Sequence, residues 1–173
     1  RQDLDGSITL AVYGSDGALQ SLQFIGPDGS KRFLHMAKMK GGRLVIGTPE
    51  PGKPIILVEG WATGCSIHEA TGQAVVVCFS GNNMAVVAAD IRRQFPDALL
   101  RVAGDLDTHG KGLAYATAAA AACGGVVFLP VFADGRTKGD FNDLHQAEGL
   151  ECGNRHQSER HLVHDAKRRA SLA

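Results

Sequence analysis

Ile55-Ile56-Leu57-Val58-Glu59-Gly60 decides the fold of this chain. Four apolar residues in a row describe a strand buried on both faces, since a strand with one wet face would alternate. The run stops at an acid and a glycine, and Ala62 to Ala70 then reads as a helix stopped by Thr71-Gly72. The same phrase recurs downstream. Ala74 to Phe79 is a second buried strand, and Asn83 to Phe95 a helix ended by Pro96. Leu99 to Ala103 is a third strand, and Leu113 to Cys123 an alanine-rich helix ended by Gly124-Gly125. Val126 to Leu129 is a fourth strand, and Asp143 to Glu148 a short helix. Alternation at this spacing predicts βαβ units, right-handed crossovers and an α/β fold with a four-stranded parallel sheet. Strand order 2-1-3-4 is expected, which sets the turns after the first and third strands side by side.

The chain before this run has a different texture. Ile8 to Tyr13, Leu19 to Ile25 and Lys31 to Leu34 are β-type runs separated by Ser15-Asp16-Gly17 and Pro27-Asp28-Gly29. Asp-Gly between such runs signals hairpins, so residues 7–47 read as a small antiparallel meander that must pack on the larger α/β unit. Thr48-Pro49-Glu50-Pro51-Gly52 is a stiff connector. The expected organisation is a basic antiparallel β subdomain over 1–52, a catalytic domain over 53–150 and a polar tail, helical or disordered, over 151–173. The chain starts at Arg1 and enters structure almost at once, which reads as a segment of a longer polypeptide.

Composition narrows the classes. The 173 residues are 44% hydrophobic and 21% charged, which excludes wholesale disorder. With 18 Lys+Arg against 18 Asp+Glu, any nucleic-acid binding must come from a local patch and not from bulk charge. No apolar run is long enough for a bilayer, so no membrane association is expected. Cys65, Cys78, Cys123 and Cys152 form no C-x-x-C pair and read as reduced thiols of a cytoplasmic protein. Cys152, His156, His161 and His164 match no standard zinc spacing.

In an open parallel sheet, ligands bind beyond the carboxyl ends of the strands. Glu59 follows the first strand, Asp105 and Asp107 follow the third, and Asp140 and Asp143 follow the fourth. Crowded carboxylates repel and need a compensating cation, and all-oxygen ligands suit Mg²⁺ or Mn²⁺. The alternative is that these acids cap helices, as Asp does at strand-to-helix turns. Gly60, Gly64, Gly81, Gly110 and Gly112 lie in turns entering helices, where free N–H groups favour phosphate. Lys111, Ser80 and Asn82 are further candidates for a phosphate or sugar, although each could equally be a surface residue or a cap. Between residues 31 and 53 stand Lys31, Arg32, Lys38, Lys40, Arg43 and Lys53 with Glu50 the only acid, a local footprint for nucleic acid.

Three extended blocks carry a resemblance. Leu57-Val58-Glu59-Gly60-Trp61-Ala62-Thr63-Gly64, Ala103-Gly104-Asp105-Leu106-Asp107 with His109-Gly110-Lys111-Gly112, and Asp140-Phe141-Asn142-Asp143-Leu144-His145 resemble the Toprim domain of bacterial-type primases, topoisomerases and some nucleases. The longer signatures are similar to primases of conjugative plasmids and related mobile elements, over roughly residues 7–150. The resemblance implies a Toprim, Rossmann-like core preceded by the β annex. It implies that Glu59, Asp105 and Asp107 are catalytic, and that these three with Asp140 and Asp143 hold metal. Thr63 stands where many chromosomal primases carry an aspartate, so a metal contact is lost or supplied by a hydroxyl; we group it with Gly60, Ser80, Asn82 and Lys111 as nucleotide-binding candidates. Leu106 stands where relatives often carry Asn or Asp.

The expected function is therefore DNA primase: metal-dependent synthesis of short RNA primers from ribonucleoside triphosphates on a single-stranded DNA template. Lys31, Arg32, Lys38, Lys40 and Arg43 would hold the template. A helicase or further domains of the same polypeptide would be partners. Two rivals remain open, a metal-dependent nuclease using the same acids to position water and a non-catalytic Toprim module binding DNA or protein.

Overall fold

Each apolar run becomes a strand in the computed structural model, which describes Gln2 and residues 6–149; the polar tail expected over 151–173 lies outside the described residues. Strands β1 (Ile8–Tyr13), β2 (Leu19–Ile25) and β3 (Lys31–Phe33) form an antiparallel annex in that order. The hairpin turns fall where Asp-Gly predicted them. Asp16 and Asp28 each accept the backbone N–H two residues on, at 3.0 Å, which satisfies groups that the tight turn leaves without a ladder partner.

The remaining elements are β4 (Leu44–Ile46), β5 (Ile55–Val58), α1 (Trp61–Thr71), β6 (Ala74–Val77), α2 (Gly81–Gln94), β7 (Leu100–Ala103), α3 (Lys111–Cys123), β8 (Val126–Phe128) and α4 (Phe141–Glu148). The second sheet has order β4-β6-β5-β7-β8. Its four parallel strands thus follow the expected 2-1-3-4 order, with β5 and β7 adjacent. One strand is added to that expectation. β4 pairs antiparallel with β6, Leu44 opposite Val77, so residues before 53 contribute to both sheets.

All eight residues of β5 and β6 are buried, and their alternation divides the interior in two. Ile55, Leu57, Val76, Leu100 and Val102 face Met84, Val87, Ile91 and Ala119 from α2 and α3. Ile56, Val58, Val75 and Val77 face Ile67, Phe141 and Leu144 from α1 and α4, with Leu10 and Val12 of the annex. Each fully buried side chain of this size contributes about 1.5–3 kcal/mol. The annex is thereby built into the core it was expected to lean on.

α2 and α3 begin two residues before the sequence pattern suggested, at Gly81 and Lys111, because first-turn N–H groups need no intrahelical partner and tolerate poor helix formers. Gly81 has a second reason to be there: a Cβ at this position would lie 2.1 Å from the Tyr115 ring of α3. The backbone is strained elsewhere in the same turn. Phe79, between β6 and α2, is held at φ +66, where bulky residues are costly, and its ring meets Phe33 of β3 edge-on at 6.2 Å.

Candidate functional site

Because β5 and β7 are hydrogen-bonded neighbours, the segments leaving their carboxyl ends start side by side, Glu59 from one and Asp105 from the other. A third acid arrives from farther along the chain. Leu106 and Gly139 exchange backbone hydrogen bonds at 2.9 and 3.0 Å, which sets Asp140 at the start of α4 within electrostatic reach of Asp105. Partial burial, reinforced by the charges of Asp140 and Glu59, pushes the Asp105 carboxyl up to about 7; Lys31 of β3 works against that rise.

Asp107, Asp140 and Asp143 behave differently, and here the capping alternative is realised. Asp107 accepts the N–H groups of His109 at 2.8 Å and Lys111 at 3.2 Å on one oxygen, and that of Gly112 at 2.6 Å on the other. The Gly112 hydrogen bond is foremost in holding its carboxyl below the ordinary range. Gly112 itself is required, since a Cβ there would lie 2.4 Å from the Asp105 carbonyl oxygen. Asp140 and Asp143 form a capping box: Asp140 Oδ1 accepts from Asn142 and Asp143 N–H at 2.8 and 2.9 Å, and Asp143 Oδ2 accepts from Asp140 N–H at 3.0 Å. Asp140 Oδ2 accepts the Thr63 hydroxyl at 2.8 Å.

Among the described residues, no three His, Cys, Asp or Glu side chains are drawn into a group that could hold a metal ion as it stands. The chemistry of the donors nevertheless fits a hard divalent cation. The groups that act to raise the Asp105 carboxyl, Asp140, Glu59 and Asp107, are all carboxylates, and Asp105 carries an unfavourable charge that a cation would relieve. Glu59, Asp105 and the uncommitted lone pair of Asp140 would hold it. Asp143, exposed and bonded to the Asp140 N–H, takes the position of a cap.

The basic residues divide as well. Lys31, Arg32, Lys38 and Lys40 are exposed, and Lys31 is near enough to Asp105 to act on its charge. Phe33, Leu34 and Met36, the last 92% exposed, lie between these two basic pairs. Arg43 does not share that surface. It is 6% exposed and ion-paired with Asp90 of α2, so its charge serves the fold and is withdrawn from a template. The loop between is pinned by Asn83, which accepts Gly41 N–H and donates to the carbonyls of Gly42 and Cys78, each at 2.8 Å, and by Gln20, which donates to the Lys38 carbonyl at 2.7 Å. Ser80 and Asn82 are exposed at the start of α2, Ser80 with no side-chain capping bond; Lys111 is exposed at the start of α3, and Gly60 caps α1. Thr63, 2% exposed, is turned inward and bonded to the Asp140 carboxylate.

Residues 54–151 match the Toprim domain family. The chain is a Toprim-domain protein. The chain is similar to two Escherichia coli proteins named DNA primase TraC, one 34% identical over 144 residues and the other 34% identical over 142. These matches cover 77% and 76% of this chain but only 14% and 10% of the relatives' lengths. The fold is shared with the primase fragment of the bacteriophage T7 primase-helicase protein, at TM-score 0.65 and 17% identity, over 90% of this chain and 65% of that one. It is shared also with a chain of the complex of T7 lagging-strand DNA polymerase with primase domains bound to an RNA/DNA hybrid and dTTP, at TM-score 0.61 and 16% identity, over 88% and 78%.

Two residues of the Toprim domain's site escaped the sequence pattern. Asn83 ties the Gly41-Gly42 turn to α2, and its only signal was a place in a polar helix start that any cap could fill. Ser66, on α1, meets Asn142 Oδ1 at 3.2 Å and His145 Nδ1 at 3.1 Å, joining α1 to α4 beneath the acids. Among the described residues no helix is long and apolar enough to cross a membrane. Cys65, Cys78 and Cys123 are free thiols, and Cys78 is fully buried.

Proposed function

We propose that this Toprim domain, with its β annex, is the catalytic core of a DNA primase that joins ribonucleoside triphosphates into short primers on single-stranded DNA. The observation that carries the reading is the relation of Asp105, beside the Glu59 turn on adjacent strands, to its neighbours: the charges of Asp140 and Glu59 act to raise its carboxyl while Lys31 of the annex acts against them. An acid cluster and a cationic strand acting on one carboxyl are what a site for a cation and a polyanionic substrate needs. The similarity to proteins named as primases supports the same reading.

Glu59, Asp105 and Asp140 would hold Mg²⁺ or Mn²⁺, with Asp107 at their side. Such a cation supplies charge neutralisation to the triphosphate and acidity to the attacking 3′-hydroxyl. The chain's own part is orientation. Lys31 and Arg32 lie on the strand beside the acids, and Lys38 and Lys40 extend that cationic surface along a pinned loop for the template backbone. Ser80, Asn82 and Lys111 are exposed at two helix starts, where they would receive the nucleotide. A helicase or further domains of the same polypeptide are the expected partners.

The test is incorporation of labelled ribonucleotides on single-stranded DNA with Mg²⁺ or Mn²⁺, using this chain and its Asp105→Asn variant. Synthesis that the variant loses supports the reading. Cleavage of the DNA in place of synthesis assigns the acids to a nuclease, and DNA binding with neither activity leaves a binding module.

A further inference from the structure

We infer that Thr63 is a positioning residue: its hydroxyl fixes the direction in which Asp140 offers its last free carboxylate position, and so sets the affinity of the acid cluster for a divalent cation. The inference rests on the reading of Asp140 as a cation-holding acid.

What Asp140 can offer a cation is set by its remaining valence. A carboxylate has about four lone-pair positions. On Asp140, both positions of Oδ1 are taken by the N–H groups of Asn142 and Asp143, and one position of Oδ2 by Thr63 Oγ1. A single position on Oδ2 is left for a ligand. The donor that decides where it points is itself fixed, because Thr63 is 2% exposed, sits in the first turn of α1 and is stiff at χ1 as a β-branched residue.

A purely structural role, bracing α1 against α4, is separable from this one. Ser66 lies three residues on, on the same face of α1, and braces the same pair of helices through Asn142 and His145 without touching Asp140. Ser66→Ala therefore loosens the seam and leaves the carboxylate alone.

The experiment measures Mn²⁺ binding to the chain by electron paramagnetic resonance, with thermal unfolding in parallel, for the parent, Thr63→Val, Thr63→Ser, Ser66→Ala and Asp140→Asn. Removing a group that orients a metal-holding side chain costs about 10–100-fold in affinity, and that loss is expected for Thr63→Val. Thr63→Ser keeps the hydroxyl and should recover most of it. Ser66→Ala should lower the melting temperature and leave Mn²⁺ affinity within about twofold of the parent, far from the loss that an orienting residue causes. Thr63→Ala removes the hydroxyl without pressing a methyl against the carboxylate, and carries the same expectation if Thr63→Val does not fold. Parental affinity in the hydroxyl-free variants, or an equal loss in Ser66→Ala, overturns the inference while Asp140→Asn still binds weakly. Parental affinity in Asp140→Asn overturns the reading of Asp140 itself, and the inference with it.

Discussion

The guanidinium of Arg43 is buried against the carboxylate of Asp90, fastening the segment that leads out of the annex to the middle of α2. Burial alone would raise the Asp90 carboxyl, but hydrogen bonds and charges from Arg93 and Arg43 hold it below its ordinary value. Removing one member of such a pair strands the other in a low-dielectric place, at a cost of about 3–5 kcal/mol. Asp90→Ala should therefore lose about 3 kcal/mol of stability by urea unfolding. Arg43→Met with Asp90→Leu should lose much less, since neither charge is then left alone.

The exposed lysines make a contrasting prediction. Each contact to a single-strand phosphate contributes a slope near 0.7 to the dependence of log affinity on log salt. Lys38→Ala with Lys40→Ala should flatten that slope by roughly one unit. A refolded Arg43→Met, Asp90→Leu protein should keep the parental slope. A salt titration of fluorescent oligonucleotide binding decides both, and an unchanged slope in the lysine variant would move the template elsewhere.

Asp105 and Asp107 should respond oppositely to the same substitution. The Asp105 carboxyl, raised to about 7 in the fold, binds its proton more tightly than in the unfolded chain, whose value is near 3.9. The fold therefore holds more protons than the unfolded chain between about pH 4 and pH 7, and its contribution to stability is lost as pH rises through that window. Asp105→Asn removes the loss, so without metal it should melt higher than the parent at pH 8 and show a flatter profile over the window. Asp107→Asn gives up one of the two oxygens that receive the first N–H groups of α3, and should lower the melting temperature at pH 8, where the lost carboxylate is charged. Calorimetry in a chelator at pH 5 and pH 8 distinguishes the two.

At Phe79 the smaller residue should be the better one. Truncating a buried Phe costs about 3–5 kcal/mol. At φ +66, however, glycine avoids the roughly 1 kcal/mol that alanine still loses to its Cβ. Phe79→Gly should thus be more stable than Phe79→Ala by about 1 kcal/mol, the reverse of the order in an ordinary strand. Urea unfolding of the two variants side by side checks the order.

The parallel core was legible because Ile55–Val58 and Ala74–Val77 are continuous apolar runs, short, rich in β-branched residues and bounded by turn signals, as a doubly covered strand is. Adjacency of the Glu59 and Asp105 turns came from the order those runs impose. Leu44–Ile46 was harder, since three apolar residues beside a meander carry no mark of which sheet they will join. Arg43 shows the limit of counting charge. Its local company is basic, while its partner lies 47 residues away on another element. Asp107 and Asp140 were found by their place beyond strand ends, but spacing does not tell an acid that caps from an acid that waits for a ligand.

Two of the acids are thus bound to the chain twice over, once by any chemistry they perform and once by the helix starts they hold together. Selection for a stable fold alone would keep Asp107 and Asp140, whatever else they do. Asp105, crowded and raised, costs the apo fold stability once its carboxyl is ionised and would be the first to drift. In a lineage of such domains, that single position would be free to change while the more conspicuous aspartates around it stayed.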